Sequence, residues 1–192
     1  NSVVIVIILS FFVGAVVSIQ TAFNMSNPLL PSYLVGLASR DSLILEFSPT
    51  MISLILAGKV GSSIASEIGS MRVTEQIDAL EIMGINSASF LILPKIIAAI
   101  FFFPLLIIMS MSVGMIGSWI GGLSADVTTA EFISGLKYEF NPFYITYAMI
   151  KTIFFAFIIS SVSAYYGYHT KGGAIAVGKS STTAVVASSI LI

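Results

Sequence analysis

This chain carries almost no charge along most of its length. No charged side chain occurs before Arg40, and residues 96–125 contain no ionisable group. Of the 192 residues, 57% are hydrophobic and 9% are charged. Runs of this kind are stable in lipid, so the sequence predicts an all-α, polytopic membrane protein. The formal net charge of −1 leaves no broad basic surface, and we expect no nucleic-acid partner.

The apolar runs can be counted as membrane spans, because roughly 20 helical residues cross a bilayer core about 30 Å thick. This count predicts a single transmembrane domain, residues 1–192, with five spans near residues 3–23, 47–66, 96–121, 142–168 and 180–192. The third apolar run is longer than one crossing needs, so we expect it to tilt, to kink near Pro104 or to project beyond the lipid. The fifth looks incomplete, and the chain begins without methionine, so we expect missing segments at both ends.

The cationic side chains indicate an orientation. If the spans alternate in direction, four cationic side chains share one membrane face: Arg72, Lys95, Lys171 and Lys179. Arg40 and Lys137 then lie on the other face with most of the remaining acids. By the positive-inside bias, the face with four cations is cytoplasmic.

The stretch GGAIAVGKSS, residues 172–181, has the letter pattern of a phosphate-binding P-loop. That motif functions between a strand and a helix of an α/β domain, and this chain has no stretch soluble enough to form such a sheet. We therefore interpret it as a cytoplasmic turn in which Ser180 or Ser181 caps the fifth helix.

The densest polar stretch is SEIGSMRVTEQIDALEIMG, residues 66–84, which cannot lie in lipid. Thr74 is a suitable N-cap and Gly84 a suitable residue beyond the C-terminus, so the pattern predicts a short helix. Its apolar residues share one narrow face: Val73, Ile77, Leu80 and Gly84. The spacing fits a solvated loop and a docking helix for a soluble partner equally well.

Two stretches carry a resemblance to a known family. The run AGKVGSSIASEIGSMRVTEQIDALEIMGINSASFLILPKIIAA and the later HTKGGAIAVGKSSTTAVV resemble the MlaE-like permeases of ABC transporters that work with MCE-domain proteins. The likeness covers most of residues 44–192, and the EQIDALExMG core carries it most specifically. Members of that family typically begin with an amphipathic interfacial helix and end with a complete fifth span, which agrees with the truncation expected above.

The resemblance implies a permease that moves phospholipid for outer-membrane lipid homeostasis in the bacterial inner membrane. Its expected partners are a second copy of itself, cytoplasmic ABC ATPase subunits that bind ATP and Mg²⁺, and a lipid-binding MCE-domain protein. This chain itself would bind no cofactor. In the family, the segment matching residues 72–84 is the coupling helix on the ATPase, which assigns that role to Arg72, Glu75, Gln76, Asp78, Leu80, Glu81 and Gly84.

Small residues recur at helical spacing in two of the predicted spans. In the second span one row is Ala57, Gly61, Ala65 and Gly69, beside a second row of Gly58, Ser62, Ser66 and Ser70. In the third span they are Gly114, Gly117, Ser118, Gly121 and Gly122. Such rows allow close helix contact in membranes. Packing within one subunit and a dimer interface explain them equally well.

Ionisable groups at membrane depth are costly and often functional. Lys151 lies well inside the fourth span and Glu46 at the outer mouth of the second. We expect the two to flank a lipid cavity, as an ion pair or as headgroup contacts. Glu139 is another candidate partner for Lys151, and snorkelling to an interface is the alternative explanation.

Other function classes fit the sequence less well. A secondary transporter or channel without an ATPase would be expected to show internal repeats and ion ligands at mid-membrane, and neither is evident. A membrane enzyme needs converging acids, histidines or a nucleophile with its base. We therefore expect no catalytic residue and no metal site on this chain.

Overall fold

The computed structural model describes residues 2–25 and 31–192, which form seven helices and no strand. The helices are α1 (Ser2–Asn24), α2 (Tyr33–Val73), α3 (Gln76–Ile82), α4 (Ser87–Ser124), α5 (Thr129–Lys137), α6 (Phe143–Tyr168) and α7 (Ala174–Leu191). Within these described ranges, α1, α2, α4, α6 and α7 are long and apolar enough to cross a membrane. The all-α prediction with about five spans is confirmed.

Several helices extend beyond the apolar runs that predicted them. α2 begins at Tyr33 rather than near residue 47, and α4 begins at Ser87 rather than near residue 96. Hydropathy marks the part of a helix that suits lipid, whereas backbone hydrogen bonding continues into polar sequence. α2 also contains two π-helical stretches, Leu43–Met51 and Ala57–Gly61, in which the helix is wider than an α-helix.

The expectation of a turn across residues 172–181 is wrong. α7 begins at Ala174 with Gly173 as its N-cap, so Gly178 and Ser180 lie inside a helix and cap nothing. A single glycine costs a helix only about 1 kcal/mol relative to alanine. Contacts with α2 offset that cost, including a 3.1 Å hydrogen bond that the Ser181 hydroxyl donates to the Ser62 carbonyl.

The chain divides into two compact units. Unit 1 comprises residues Asn1–Ile52 and Leu105–Thr152, and unit 2 comprises Ser53–Pro104 and Ile153–Ile192. Helices α2, α4 and α6 contribute residues to both units.

In unit 1, α1 packs directly against the second half of α4 through small residues. A Cβ atom on Gly117 would overlap the backbone carbonyl of Phe11, and one on Gly121 would overlap that of Ala15. The buried Ser10 hydroxyl donates to the Ser110 hydroxyl at 2.8 Å. Because contacts advance in the same order along both helices, α1 and α4 run parallel, as the first and third spans of an alternating topology must.

Unit 1 also holds α5 against the start of α2. The Arg40 side chain is 3% exposed and donates hydrogen bonds to the carbonyls of Leu136 at 2.8 Å and Tyr138 at 2.9 Å. These carbonyls lie at the C-terminal end of α5, where helix carbonyls lack intrahelical partners. At its other end, Thr128 and Glu131 form a capping box.

In unit 2, the second half of α2 packs against α6 and α7. Gly61 lies against Ser163, and Gly167 lies against the Ala65 backbone, so α2 and α6 run parallel. Gly69 contacts both Thr170 and the side chain of Val177 in α7. Close backbone approach of this kind gives van der Waals contacts, which hold helices together in lipid, where the hydrophobic effect does not.

The glycine contacts of unit 1 lead to a stability prediction. Gly117→Ala should lower the free energy of unfolding by about 1–3 kcal/mol, because its methyl group must displace the α1 backbone. Gly178→Ala is the matched control, since a Cβ atom there meets nothing within 4 Å. Thermal unfolding in detergent measures both, and equal losses from the two changes would contradict this packing account.

Candidate functional site

The acid-rich helix α3 is shorter than the helix predicted over residues 72–84. Arg72 and Val73 end α2, and Glu75 precedes α3 in the left-handed conformation with φ of 60°. The predicted N-cap, Thr74, does not cap α3, because its hydroxyl donates back to the Ser70 carbonyl at 2.9 Å. A reversal of the chain therefore separates α2 from α3.

The C-terminal end of α3 closes at Gly84. Its φ of +76° suits glycine, and its amide donates to the Glu81 carbonyl at 3.0 Å. The Ile85 amide donates to the Leu80 carbonyl at 3.0 Å. This pair of bonds is a Schellman motif, which satisfies the last carbonyls of a helix.

α3 lies with one side against unit 2 and the other side exposed. Ile77 is 0% exposed and packs in a cluster with Ile64, Ile68 and Ala164. The predicted apolar face therefore does not form a free surface, because Ile77 anchors the helix to its own unit. The exposed apolar side chains are Ile82, which is 87% exposed, and Met83. A helix of two turns is too short for periodicity to have identified them.

The charged residues of this region divide into paired and exposed groups. Arg72 Nη1 lies 2.7 Å from Asp78 Oδ1, and its guanidinium lies over the Tyr168 ring at 5.7 Å from the centroid. Glu75 and Gln76, in contrast, are exposed. The outward side of α3 is thus acidic and carries Ile82 beside it.

Glu81 accepts two side-chain hydrogen bonds through one carboxylate oxygen. The Ser87 hydroxyl and the Tyr168 hydroxyl each donate to Glu81 Oε1 at 2.9 Å. These bonds, with that from Ser87 the larger influence, hold the pKa of the Glu81 carboxyl below its usual range. Glu81 is therefore ionised at neutral pH. Sequence reasoning missed both hydroxyls. Ser87 lies just beyond the polar stretch 66–84, and Tyr168 is 87 residues away from Glu81 along the chain.

A second polar cluster lies in unit 1, where Lys151 and Glu46 form an ion pair. Lys151 Nζ is 2.8 Å from Glu46 Oε2 and 3.3 Å from the Leu45 carbonyl, to which it donates. In an α-helix the Leu45 carbonyl would accept a hydrogen bond from the amide of residue 49, but Pro49 has no amide N–H. Glu46 lies in the π-helical stretch Leu43–Met51, and such stretches often occur at functional sites.

The exposure of this ion pair is unequal. The Lys151 side chain is 18% exposed and that of Glu46 is 63% exposed. Lys151 also lies over the Tyr147 ring, 5.9 Å from its centroid. A carboxylate this exposed is stable next to water or a polar headgroup, and lipid tails offer neither.

The small residues singled out in the sequence occupy different environments. Gly61, Ala65 and Gly69 contact helices of unit 2, and Gly117 and Gly121 contact α1 in unit 1. Gly58 has open space where a side chain would be. Intrasubunit packing thus accounts for most of these positions, and Gly58 lies on an exposed part of α2.

The described residues form neither a metal-binding cluster nor the P-loop that the letters of residues 172–181 suggest. Within residues 2–25 and 31–192, no three His, Cys, Asp or Glu side chains cluster in a way that could bind a metal ion. Lys179 and Ser180 lie within α7, so their backbone amides are part of a helix and do not form a phosphate-binding loop.

Comparison with known proteins gives matches over the whole chain. The family model described as Permease MlaE matches residues 1–192. A probable ABC transporter permease protein of Rickettsia bellii (strain RML369-C) is 38% identical over 192 residues, covering 100% of this chain and 74% of the relative. One from Synechocystis sp. is 35% identical over 193 residues, covering 100% and 73%. Protein TRIGALACTOSYLDIACYLGLYCEROL 1, chloroplastic, of Arabidopsis thaliana is 34% identical over 193 residues, covering 98% and 54%.

The ion pair of unit 1 yields a prediction about stability. Glu46→Gln should lower the free energy of unfolding by about 1–3 kcal/mol, because the largely buried Lys151 ammonium loses its carboxylate. Adding Lys151→Met to Glu46→Gln should restore most of that loss, since the buried charge is then removed together with its carboxylate. Unfolding by SDS titration measures both variants.

Lys59→Met provides the control for the lysine change, because Lys59 is exposed on α2 and forms no ion pair with the described residues. A double variant as unstable as Glu46→Gln alone would mean that the ion pair does not hold Lys151 in place.

Proposed function

The chain belongs to the MlaE permease family of ABC transporters, and we propose that it is the membrane subunit of an ATP-driven phospholipid transporter in the bacterial inner membrane. As an ABC permease it is a multi-pass membrane protein, non-catalytic in itself, that works with an ATPase partner. The transport would move lipid between the membrane and an MCE-type carrier protein, for outer-membrane lipid homeostasis. The observation that carries the proposal is α3, an acidic helix with its outer side exposed.

α3 supplies the surface on which the ATPase would act. Ile77 anchors it to unit 2, so force on its outer side reaches the packed helices rather than a flexible loop. The exposed side combines acids with two apolar side chains, Ile82 and Met83, which suits a docking contact of moderate size. We assign ATPase coupling to Arg72, Glu75, Gln76, Asp78, Leu80, Glu81 and Gly84. ATP and Mg²⁺ would bind to the partner.

The lipid cargo is supported by two observations of different kinds. The name of the Arabidopsis relative includes a diacylglycerol lipid. In unit 1, the Glu46–Lys151 pair provides charge at membrane depth, where a lipid headgroup or a second permease copy can offset it. We infer that the pair borders a lipid cavity between two copies of the permease.

The mechanism then follows as a coupling of movements. Closure of two ATPase subunits around ATP would displace both α3 helices, and their displacement would move the spans that border the cavity. Lipid leaves or enters as the cavity changes volume. The permease contributes no chemical step, since the free energy comes from hydrolysis in the partner.

Charge reversal on α3 tests the ATPase contact. Glu75→Lys combined with Asp78→Lys should abolish co-purification of a soluble ATPase, because it replaces the acidic surface with a basic one. The control is Asp126→Lys combined with Glu139→Lys. It makes the same change in charge at two exposed acids of unit 1, which share the left-handed backbone of Glu75.

The control variant should keep the ATPase. If wild-type permease purified from membranes brings no ATPase, the function is that of a secondary transporter or channel and our proposal is wrong. Equal loss from both charge reversals would indicate a general charge effect rather than a contact at α3.

A charge exchange tests the lipid cavity. Glu46→Lys and Lys151→Glu should each reduce lipid transport in reconstituted vesicles at least tenfold, because each places two like charges about 3 Å apart. The double exchange should recover much of the activity if the two residues act as a pair. Failure of the double exchange, with the complex still assembled, would show that each residue acts through a separate contact.

A further inference from the structure

We propose that Ser87 and Tyr168 are positioning residues that lock α3 to the ends of α4 and α6, so that movement of α3 is transmitted to those spans. The proposal rests on the function proposed above and adds a transmission element to it. Neither hydroxyl contributes to the outer side of α3 that would contact an ATPase.

Three oxygen atoms form a close triangle at this point, in which both hydroxyls donate their protons to the Glu81 carboxylate. Ser87 Oγ and Tyr168 Oη are 2.8 Å apart, and each lies 2.9 Å from Glu81 Oε1. The three residues come from three helices, since Ser87 is the first residue of α4 and Tyr168 the last of α6. We call this arrangement the hydroxyl lock.

The charge on Glu81 makes the hydroxyl lock strong. Hydrogen bonds to an ionised acceptor are roughly twice as strong as neutral ones. Ser87 is 2% exposed, so water competes little for its hydroxyl. If either hydroxyl were removed, the carboxylate would retain a single side-chain hydrogen bond instead of two.

The position of the hydroxyl lock explains why it matters. On one side α3 follows a chain reversal at Glu75, and on the other it ends at Gly84, which has a left-handed backbone. Without a lock, α3 would be held mainly by Ile77 and by the Arg72–Asp78 ion pair. A pushed helix could then swing about its own ends without moving the spans.

Arg72 strengthens the same connection from the other end of α3. Its guanidinium pairs with Asp78 and lies over the ring of Tyr168, whose hydroxyl belongs to the lock. Tyr168 is therefore held both by its hydroxyl and by the face of its ring.

An open polar depression of about 400 Å³ borders the hydroxyl lock. It is lined by Glu81, Gly84, Ile85, Asn86, Ser87 and Tyr168. A different use of these groups would be to accept a cationic side chain of the ATPase in that depression. The hydrogen bonds already made by Glu81 Oε1 favour the lock, and the experiment separates the two uses.

The test compares single-oxygen deletions in the assembled complex. Tyr168→Phe, Ser87→Ala and the double variant are purified with the ATPase, reconstituted, and assayed for ATP hydrolysed and lipid moved. We expect the ATPase to remain bound and the lipid moved per ATP to fall about three- to tenfold in each single variant. The double variant should lose more than either single change, because each single variant leaves Glu81 one hydroxyl donor and the double variant leaves it none.

Tyr165→Phe is the matched control. Tyr165 also lies near the end of α6, and its hydroxyl makes no hydrogen bond with the described residues. The control should keep the wild-type ratio of lipid to ATP. Hydrogen exchange of the α3 amides should speed up in Tyr168→Phe and not in Tyr165→Phe, which shows directly that the helix has loosened.

Each remaining outcome contradicts the proposal. An unchanged ratio of lipid to ATP in both single variants would mean that the hydroxyl lock transmits nothing. Loss of the bound ATPase would mean that these hydroxyls serve docking. If the wild-type complex holds no ATPase or moves no lipid, the proposed function itself fails, and this result is seen before any variant is made.

Discussion

Close contact between helix backbones is the interaction on which the rest of this structure depends. In lipid, apolar side chains gain little by leaving their solvent, so spans associate through van der Waals packing and hydrogen bonds. This chain meets that condition with small residues. Gly117 and Gly121 bring α4 onto the backbone of α1, and Gly61, Ala65 and Gly167 bring α2 onto α6. Larger side chains at these positions would hold the helices apart.

Fixed helices make it possible to hold polar groups at defined distances. The Lys151–Glu46 pair and the hydroxyl lock each join residues from different helices, and each has bonds of 2.8–2.9 Å. Such distances need backbones that do not slide. In the proposed function the two clusters would serve different ends, since one would border the lipid path and the other would receive the movement of α3.

The sequence predicted the class of fold well, because each membrane-spanning helix needs about 20 predominantly apolar residues in a row. It also identified Glu46 and Lys151, since charge is rare inside apolar runs, and the structure brings them together. Helix bounds were less accessible: hydropathy located the lipid-compatible part of α2 but not its start at Tyr33. The burial of Ile77 could not be predicted, because two turns of helix define no clear face. Ser87 and Tyr168 could not be predicted either, since their partner is fixed only by the tertiary fold.

The π-helical stretch Ala57–Gly61 has a consequence for how α2 can vary. A wide turn accommodates an additional residue relative to an α-helix. Removing one residue there would restore ordinary α-helical winding and leave the rest of the helix facing almost the same way, whereas a deletion in an α-helical part of α2 turns all later residues by about 100° around the helix axis. Ala65 and Gly69 would then keep their contacts with α6 and α7. This stretch is therefore the place in α2 where the chain can lose a residue while the packing beyond it is retained.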